Sequence, residues 1–209
     1  METIKTRMRR GKRRPIAGRQ EILAAARAIG ARDGWKAVTI RSVAQKLGYA
    51  SPLLYEHFRD KEDLLTQIAA DGLGQLEAKL TEKLPIDPRD AVAMMVERYW
   101  AFMLENTQLY RLVNGMDGVP IDKATVGRSA QSLCKMVAEA VLPLLGEDAR
   151  EADRQILADE LWALLHGMSA LYMDRVAPFD LARATNAVMT LIEGARMKQG
   201  AHLRRSSMK

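Results

Sequence analysis

The sequence predicts an all-α protein of about nine helices, and three observations support that prediction. Hydrophobic residues make up 48% of the chain but aromatic residues only 5%, and Ala, Leu, Met, Glu and Arg are abundant, as is typical of helical proteins. Apolar residues recur at spacings of three and four, whereas the alternation of a strand is missing. Between these stretches stand Gly, Pro and capping residues that mark helix ends.

Composition and spacing also limit the possible functions. No run approaches 18 consecutive apolar residues and the first residues are charged, so neither a membrane span nor a secretory signal is predicted, and we expect a cytoplasmic protein. The single cysteine, Cys134, excludes an internal disulfide; it is either a redox-sensing thiol or, more simply, a small buried hydrophobe. No metal-ligand cluster and no cofactor motif is found.

Enzymes and membrane-surface proteins are the alternatives from other classes. A catalytic Ser/His/Asp set, a carboxylate pair or a phosphate-binding loop does not occur at working spacing, so an enzyme is not expected. The basic amino-terminal residues lack an apolar face, which argues against a membrane-surface protein.

Positive charge is concentrated at the two ends of the chain. Residues 1–20 carry eight Lys and Arg side chains against Glu2, and residues 196–209 carry five and no acid, although the net charge is only +6. Residues 1–16 are therefore predicted to form a disordered basic arm that is attracted to DNA phosphates, with Arg13 and Arg14 able to enter a narrow minor groove. A solubilising arm is the alternative, and it is the simpler interpretation of the tail, residues 199–209.

Two short helices joined by a tight turn are predicted between Thr39 and Lys61. Thr39 is placed to cap the first of them, and Gly48 ends it where a residue tolerating positive φ is needed. Ser51 and Pro52 have the pattern of an N-cap followed by a proline in the first helical position, and so start the second helix. Such a pair is either a helix-turn-helix or part of an ordinary helical core.

This segment resembles the DNA-binding domain of the tetracycline-repressor (TetR) family of bacterial transcription regulators. In that family a stretch of the form xxGxxxxTxxxIA precedes one of the form GVSxxxLYxHFxxKxxL. The matching residues here are Gly34, Thr39, Val43, Ala44, Gly48, Leu54, Tyr55, His57, Phe58, Lys61 and Leu64. The resemblance covers residues 20–69, and it implies a three-helix DNA-binding head at residues 17–62 on an effector-binding and dimerisation body at residues 63–198.

The resemblance also implies two sets of DNA-facing residues. Tyr55, His57 and Lys61 match positions that contact the sugar–phosphate backbone, and Thr39 matches one that meets a phosphate at a helix amino end. A structural hydrogen bond is the alternative for His57, and Arg41 is expected either to contact DNA or to be solvated. Base contacts are left to Tyr49, Ala50, Ser51, Pro52 and Leu53.

The body is predicted to be a series of amphipathic helices. The first runs from Asp60 to Leu84, and Gly72 and Gly74 inside it call for an explanation because each costs about 0.5–1 kcal/mol relative to Ala. Close packing is one explanation, and a bend on ligand binding is the other. Further helices are predicted at residues 87–105, 107–113, 122–145, 148–175 and 180–198, and the predicted capping residues of these body helices include Asp60, Thr107 and Asp148.

Dimerisation is expected because a palindromic DNA site needs two recognition helices about 34–36 Å apart. Trp162, His166 and Gly167 form a W-x-x-x-H-G element, which resembles one in the effector domains of a branch of the TetR family. Small and apolar residues around and after it predict a helical dimer interface, formed by Gly167, Ala170, Val188, Leu191 and Ile192.

An effector pocket is predicted from the methionines and aromatic residues of the central helices. These side chains suit small hydrophobic ligands, although an ordinary core has the same composition. The residues are Met94, Tyr99, Trp100, Met103, Tyr110, Met136 and Trp162, with Arg111 and His166 as polar contacts.

The sequence thus predicts a homodimeric transcriptional regulator that binds double-stranded DNA. The resemblance implies a repressor released from a palindromic operator by a small hydrophobic ligand. A constitutive or architectural DNA-binding protein without an effector is the alternative.

Overall fold

The computed structural model describes residues 18–146, 149–178 and 180–206. Within these ranges the chain forms nine α-helices and no strand, which confirms the predicted fold class. The predicted arm with Arg13 and Arg14 lies outside the described residues, as does Asp148, a predicted helix cap. The helices are α1 (Arg19–Asp33), α2 (Ile40–Leu47), α3 (Ser51–Leu54), α4 (Lys61–Thr81), α5 (Pro88–Glu105), α6 (Thr107–Val113), α7 (Lys123–Leu145), α8 (Glu151–Met173) and α9 (Leu181–Ser206).

The predicted caps of α2 and α4 are confirmed. The Oγ1 atom of Thr39 accepts a hydrogen bond from the Ser42 amide at 3.0 Å, and the Ser42 hydroxyl oxygen accepts one from the Thr39 amide at 2.9 Å. This reciprocal pair forms a capping box at the start of α2. Gly48 ends α2 in the left-handed region with φ 74°, and the Asp60 carboxylate accepts from the Asp63 amide at 2.8 Å to start α4.

Replacing Thr39 tests this cap. Thr39→Ala removes the side-chain oxygen, so we expect a loss of about 1 kcal/mol in the free energy of unfolding. Thr39→Ser keeps an oxygen at the cap and should unfold like the original protein in urea. Equal destabilisation by both substitutions would contradict the capping role.

Two other predicted caps are wrong. Ala50 occupies the N-cap position of α3 without a side-chain bond, and Ser51 already belongs to the helix. Asn106 occupies the N-cap of α6, because the Thr107 hydroxyl instead donates back to the carbonyl of Leu104 in α5, at 3.2 Å.

Two predicted helix ends also differ from the structure. Helix α4 ends at Thr81, three residues before the predicted Leu84, and the chain reverses through Lys83, which has φ 44°. Helix α9 continues past the predicted Lys198 to Ser206. No helix in the described part of the chain is both long and apolar enough to cross a membrane.

Three consecutive residues of α6 link this helix to the head, helices α1 to α3, and to helices α4 and α8 of the body. The carbonyl of Gln108 accepts a hydrogen bond from Nε1 of Trp35, in the turn between α1 and α2, at 2.7 Å. Leu109 packs against Gly72, where a Cβ would come within 2.8 Å of the leucine methyl groups. Tyr110 bonds to His166 of α8. Close packing therefore explains Gly72, whereas the exposed Gly74 has no such neighbour.

Candidate DNA-binding surface and effector cavity

Helix α2 separates a buried face from an exposed one. Ile40, Val43, Ala44 and Leu47 are buried against the head, whereas Arg41 is exposed at the start of the helix. The same face thus combines a positive side chain with the amino end of a helix, the two features that attract a DNA phosphate.

The amino end of α3 is only partly exposed. Ala50 and Pro52 are exposed, and Ser51 is half-buried. Tyr49 and Leu53 are half-buried and pack against the hydrophobic core, so they have less surface to offer DNA than the sequence suggested. The exposed part of this helix start, mainly Ala50 and Pro52, is therefore small and apolar.

The predicted backbone contacts are in different environments. Tyr55 is 56% exposed. His57 is half-buried, and its Nε2 atom is buried without a hydrogen-bond partner among the described residues. The ammonium of Lys61 donates to the carbonyl of Lys36 at 2.9 Å, and partial burial lowers the pKa of Lys61. Of the three, Tyr55 therefore has the most accessible side chain, while Lys61 also holds the turn before α2.

Three further basic residues of the head were missed in the sequence. The guanidinium of Arg19 lies 5.0 Å from the centre of the Phe58 ring, a distance at which a cation–π contact stabilises the packing of α1 on the segment after α3. Lys36 and Lys46 are exposed on the head. Neither lysine belongs to a charge cluster or a motif, so their charge was the one signal in the sequence that could have identified them.

Two small cavities lie inside the body and share part of their walls. The first, about 50 Å³, is lined by residues of α4, α5, α7, α8 and α9. The second, about 20 Å³, lies between α4, α5, α6 and α8. Tyr99 and Trp162 line both cavities, with ring centres 6.4 Å apart in an edge-to-face arrangement.

Four of the nine predicted effector contacts line these cavities: Tyr99, Met103, Tyr110 and Trp162. The other five lie outside both. Met95 lines the first cavity instead of Met94, and Val137 instead of Met136, because in each case the neighbouring residue points inwards. Trp100 packs edge-to-face on Tyr172, with the ring centres 5.6 Å apart.

The two predicted polar contacts also have intramolecular partners. Nε of Arg111 forms an ion pair with Asp117 at 2.9 Å and so holds the loop after α6. Nδ1 of His166 lies 2.5 Å from the Tyr110 hydroxyl. Both residues have a structural role that does not require a ligand.

A groove of about 530 Å³ runs between α8 and α9 on the surface. Its apolar lining includes Ile156, which is 56% exposed, together with Leu164 and Leu191. Asp153, Glu160 and Lys198 also line it. An apolar centre combined with polar residues is the usual composition of a protein interface.

The predicted dimer residues are corrected by this geometry. Val188 and Ile192 are 1% and 3% exposed inside the protomer, so they have no surface to present to a second copy. Gly167 and Ala170 are half-buried, and Leu191 lies in the groove. Helix α9 therefore has two neighbouring apolar faces. Val188 and Ile192 lie on the face that is buried in the protomer, whereas Leu191 lies on the accessible face, and the prediction combined residues of both.

A three-helix head containing a helix-turn-helix and a larger helical body define the class: a DNA-binding transcriptional regulator. Residues 22–68 match the model of the bacterial regulatory proteins of the tetR family, and residues 92–192 match the model of the tetracyclin repressor-like C-terminal domain. The chain therefore belongs to the TetR family. Its members are transcriptional regulators that bind DNA and act as dimers, and they are not enzymes.

Relatives with different regulatory roles resemble the chain. It is 24% identical to the HTH-type transcriptional activator FasR of Mycolicibacterium smegmatis over 90% of the chain and 93% of FasR. It is 30% identical to the HTH-type transcriptional repressor AcnR of Corynebacterium diphtheriae over 44% of the chain and 50% of AcnR. The solved structure of the fatty acid degradation regulator FadR from Bacillus halodurans has the same fold, with a TM-score of 0.66 at 14% identity, covering 83% of this chain and 96% of that one.

Proposed function

We propose that this protein is a cytoplasmic, homodimeric repressor that leaves a palindromic operator when a small hydrophobic ligand enters its body. The observation that carries the proposal is the connection between the two parts: α6 contacts the head through Gln108 and lines the second cavity through Leu109 and Tyr110. A molecule that enlarges this cavity must push on the helix that supports the head. Of the W-x-x-x-H-G element, Trp162 lines the second cavity, and His166 forms a hydrogen bond with Tyr110, which also lines it.

Cavity size supports ligand-weakened DNA binding. Sites for small molecules usually measure about 300–1,000 Å³, far more than the 50 and 20 Å³ available. An effector therefore has to displace side chains of α5, α6 or α8 when it binds. By linkage, a ligand that favours the displaced state lowers the affinity for DNA, and DNA lowers the affinity for the ligand.

The surface groove between α8 and α9 supports the dimer. Two copies that pack these helices together bury Ile156 and Leu191, which are otherwise accessible. The pairing would place two heads on one DNA duplex, as a palindromic operator requires.

DNA binding can be tested with the protein's own upstream intergenic DNA. Titration across a salt series should show tight saturable binding that survives an excess of random DNA. Equal affinity for both DNAs with the same steep salt dependence would instead indicate a non-specific binder. The same assay then screens apolar compounds for release of the operator.

Tyr55 offers a sharper test of the binding surface. Tyr55→Phe removes only a hydroxyl, and a lost hydrogen bond to a phosphate should weaken operator binding about tenfold. Tyr172→Phe is the matched control, because Tyr172 is also exposed but lies at the end of α8 in the body. If the two variants bind the operator equally well, Tyr55 does not contact the backbone.

A further inference from the structure

The two cavities differ in polarity, and neither contains a charge. The first is lined by fourteen residues, of which only Tyr99 and Trp162 carry a side-chain oxygen or nitrogen, while Met95 and Cys134 carry sulfur. The second adds the Tyr110 hydroxyl and the amide of Asn114. Among the described residues, no Asp, Glu, Lys, Arg or His side chain lines either cavity.

The groups beside the second cavity are polar but neutral. The Tyr110 hydroxyl lies against Nδ1 of His166 and donates to the carbonyl of the same residue at 3.1 Å. Burial lowers the pKa of His166 and raises the pKa values of Tyr99 and Tyr110, with the Ser169 hydroxyl close to both tyrosines. All of these side chains are therefore uncharged at neutral pH.

We infer that the effector is an elongated apolar molecule whose polar end is an uncharged oxygen, a hydroxyl or a carbonyl, and not a free carboxylate. A carboxylate would lose its hydration in this site and find no cation, at a cost of several kcal/mol. A hydroxyl or ester oxygen needs only a neutral donor or acceptor. Two such groups are the phenol of Tyr99, beside the Ser169 and Tyr110 hydroxyls, and the side-chain oxygen of Asn114, whose Nδ2 atom donates to the Tyr110 carbonyl at 2.9 Å. This inference rests on the proposed function, since it concerns the same cavity.

Tyr99 and Trp162 determine how such a molecule fits. A cavity of about 150 Å³ accommodates benzene, so a longer molecule has to join the two cavities by moving the side chains they share. Trp162 is half-buried and has more room to move than Tyr99, which is buried. The apolar chain then occupies the first cavity and the oxygen faces the second.

Calorimetric titration of the full chain with decanol, methyl decanoate and decanoate tests the inference. At neutral pH we expect the two uncharged compounds to bind at least about tenfold more tightly than decanoate. Decanoate should gain about tenfold in affinity for each unit of pH decrease above its own pKa, because only the protonated acid enters. The affinity for decanol should stay constant over the same range.

Tyr99→Phe is the variant that removes the proposed hydrogen bond while keeping the ring. We expect it to weaken decanol binding about fivefold, whereas Tyr172→Phe, outside both cavities, should leave it unchanged. Decanoate binding as tightly as decanol, without pH dependence, would overturn the uncharged-end inference and leave a ligand-responsive regulator standing. If none of the three compounds binds, the inference falls along with the apolar effector of the proposed function, while the operator titration still tests DNA binding separately.

Discussion

Ile156→Glu is expected to convert the protein into a folded monomer that no longer holds its operator. Ile156 is 56% exposed in the groove between α8 and α9, so a carboxylate there costs the isolated protomer little. In the dimer the same carboxylate is desolvated without a partner, and symmetry repeats it in the second copy. If each desolvated carboxylate costs about 2 kcal/mol of dimerisation free energy, the two together lower the dimer affinity roughly a thousandfold.

Sedimentation velocity and operator titration measure the two consequences. Ile86→Glu is the matched control, because Ile86 is fully exposed in the segment between α4 and α5, away from the groove. It should remain a dimer with unchanged operator affinity. An Ile156→Glu protein that is still dimeric would show that the copies pair through another surface, and the groove would need a different partner.

The sequence predicted the head well because its signals are local. Gly48 ends a helix by adopting a left-handed conformation, and Thr39 caps one through atoms only three residues away. Both choices depend on neighbouring residues alone, so the pattern of the chain was enough to locate them. The cap predicted at Thr107 is wrong, again for a local reason. Its hydroxyl donates to a carbonyl of the preceding helix α5 and does not cap α6.

The residues that line the cavities were predicted only in part, because the spacing of apolar residues locates the buried face of a helix with an uncertainty of about one residue. Met94 and Met95 are both apolar, and nothing in the pattern of the chain distinguishes the one that points inwards. Val188 and Leu191 show the same difficulty in α9, where one apolar face is buried in the protomer and the next lines the groove. Which face a helix buries is decided by partners far away in the chain.

Trp35 illustrates a contact of that long-range kind. Its side chain is buried, with 2% of its surface exposed. Its ring lies so close to Gly30 of α1 that a Cβ there could not be accommodated. Its Nε1 atom reaches the carbonyl of Gln108, 73 residues further along the chain, which no local pattern indicates.

Trp35→Ala should therefore have the largest effect of any single substitution at the contact between head and body. Removing a buried tryptophan costs about 3–5 kcal/mol of unfolding free energy, and the head also loses its bond to α6. Trp35→Phe keeps most of the packing and removes the hydrogen bond, for a loss of about 1 kcal/mol. Urea unfolding measures both.

A second measurement separates a loss of stability from a loss of communication between the effector cavity and the head: the change in operator affinity when ligand is added. Effectors typically change the affinity for a second ligand by about 5–150-fold, and we expect Trp35→Phe to reduce that factor because α6 can then shift without moving the head. Trp100→Phe is the control, since Trp100 is equally buried but packs on Tyr172. If both variants respond to ligand like the original protein, the signal reaches the head through α4, and the bond between Trp35 and Gln108 only stabilises the fold.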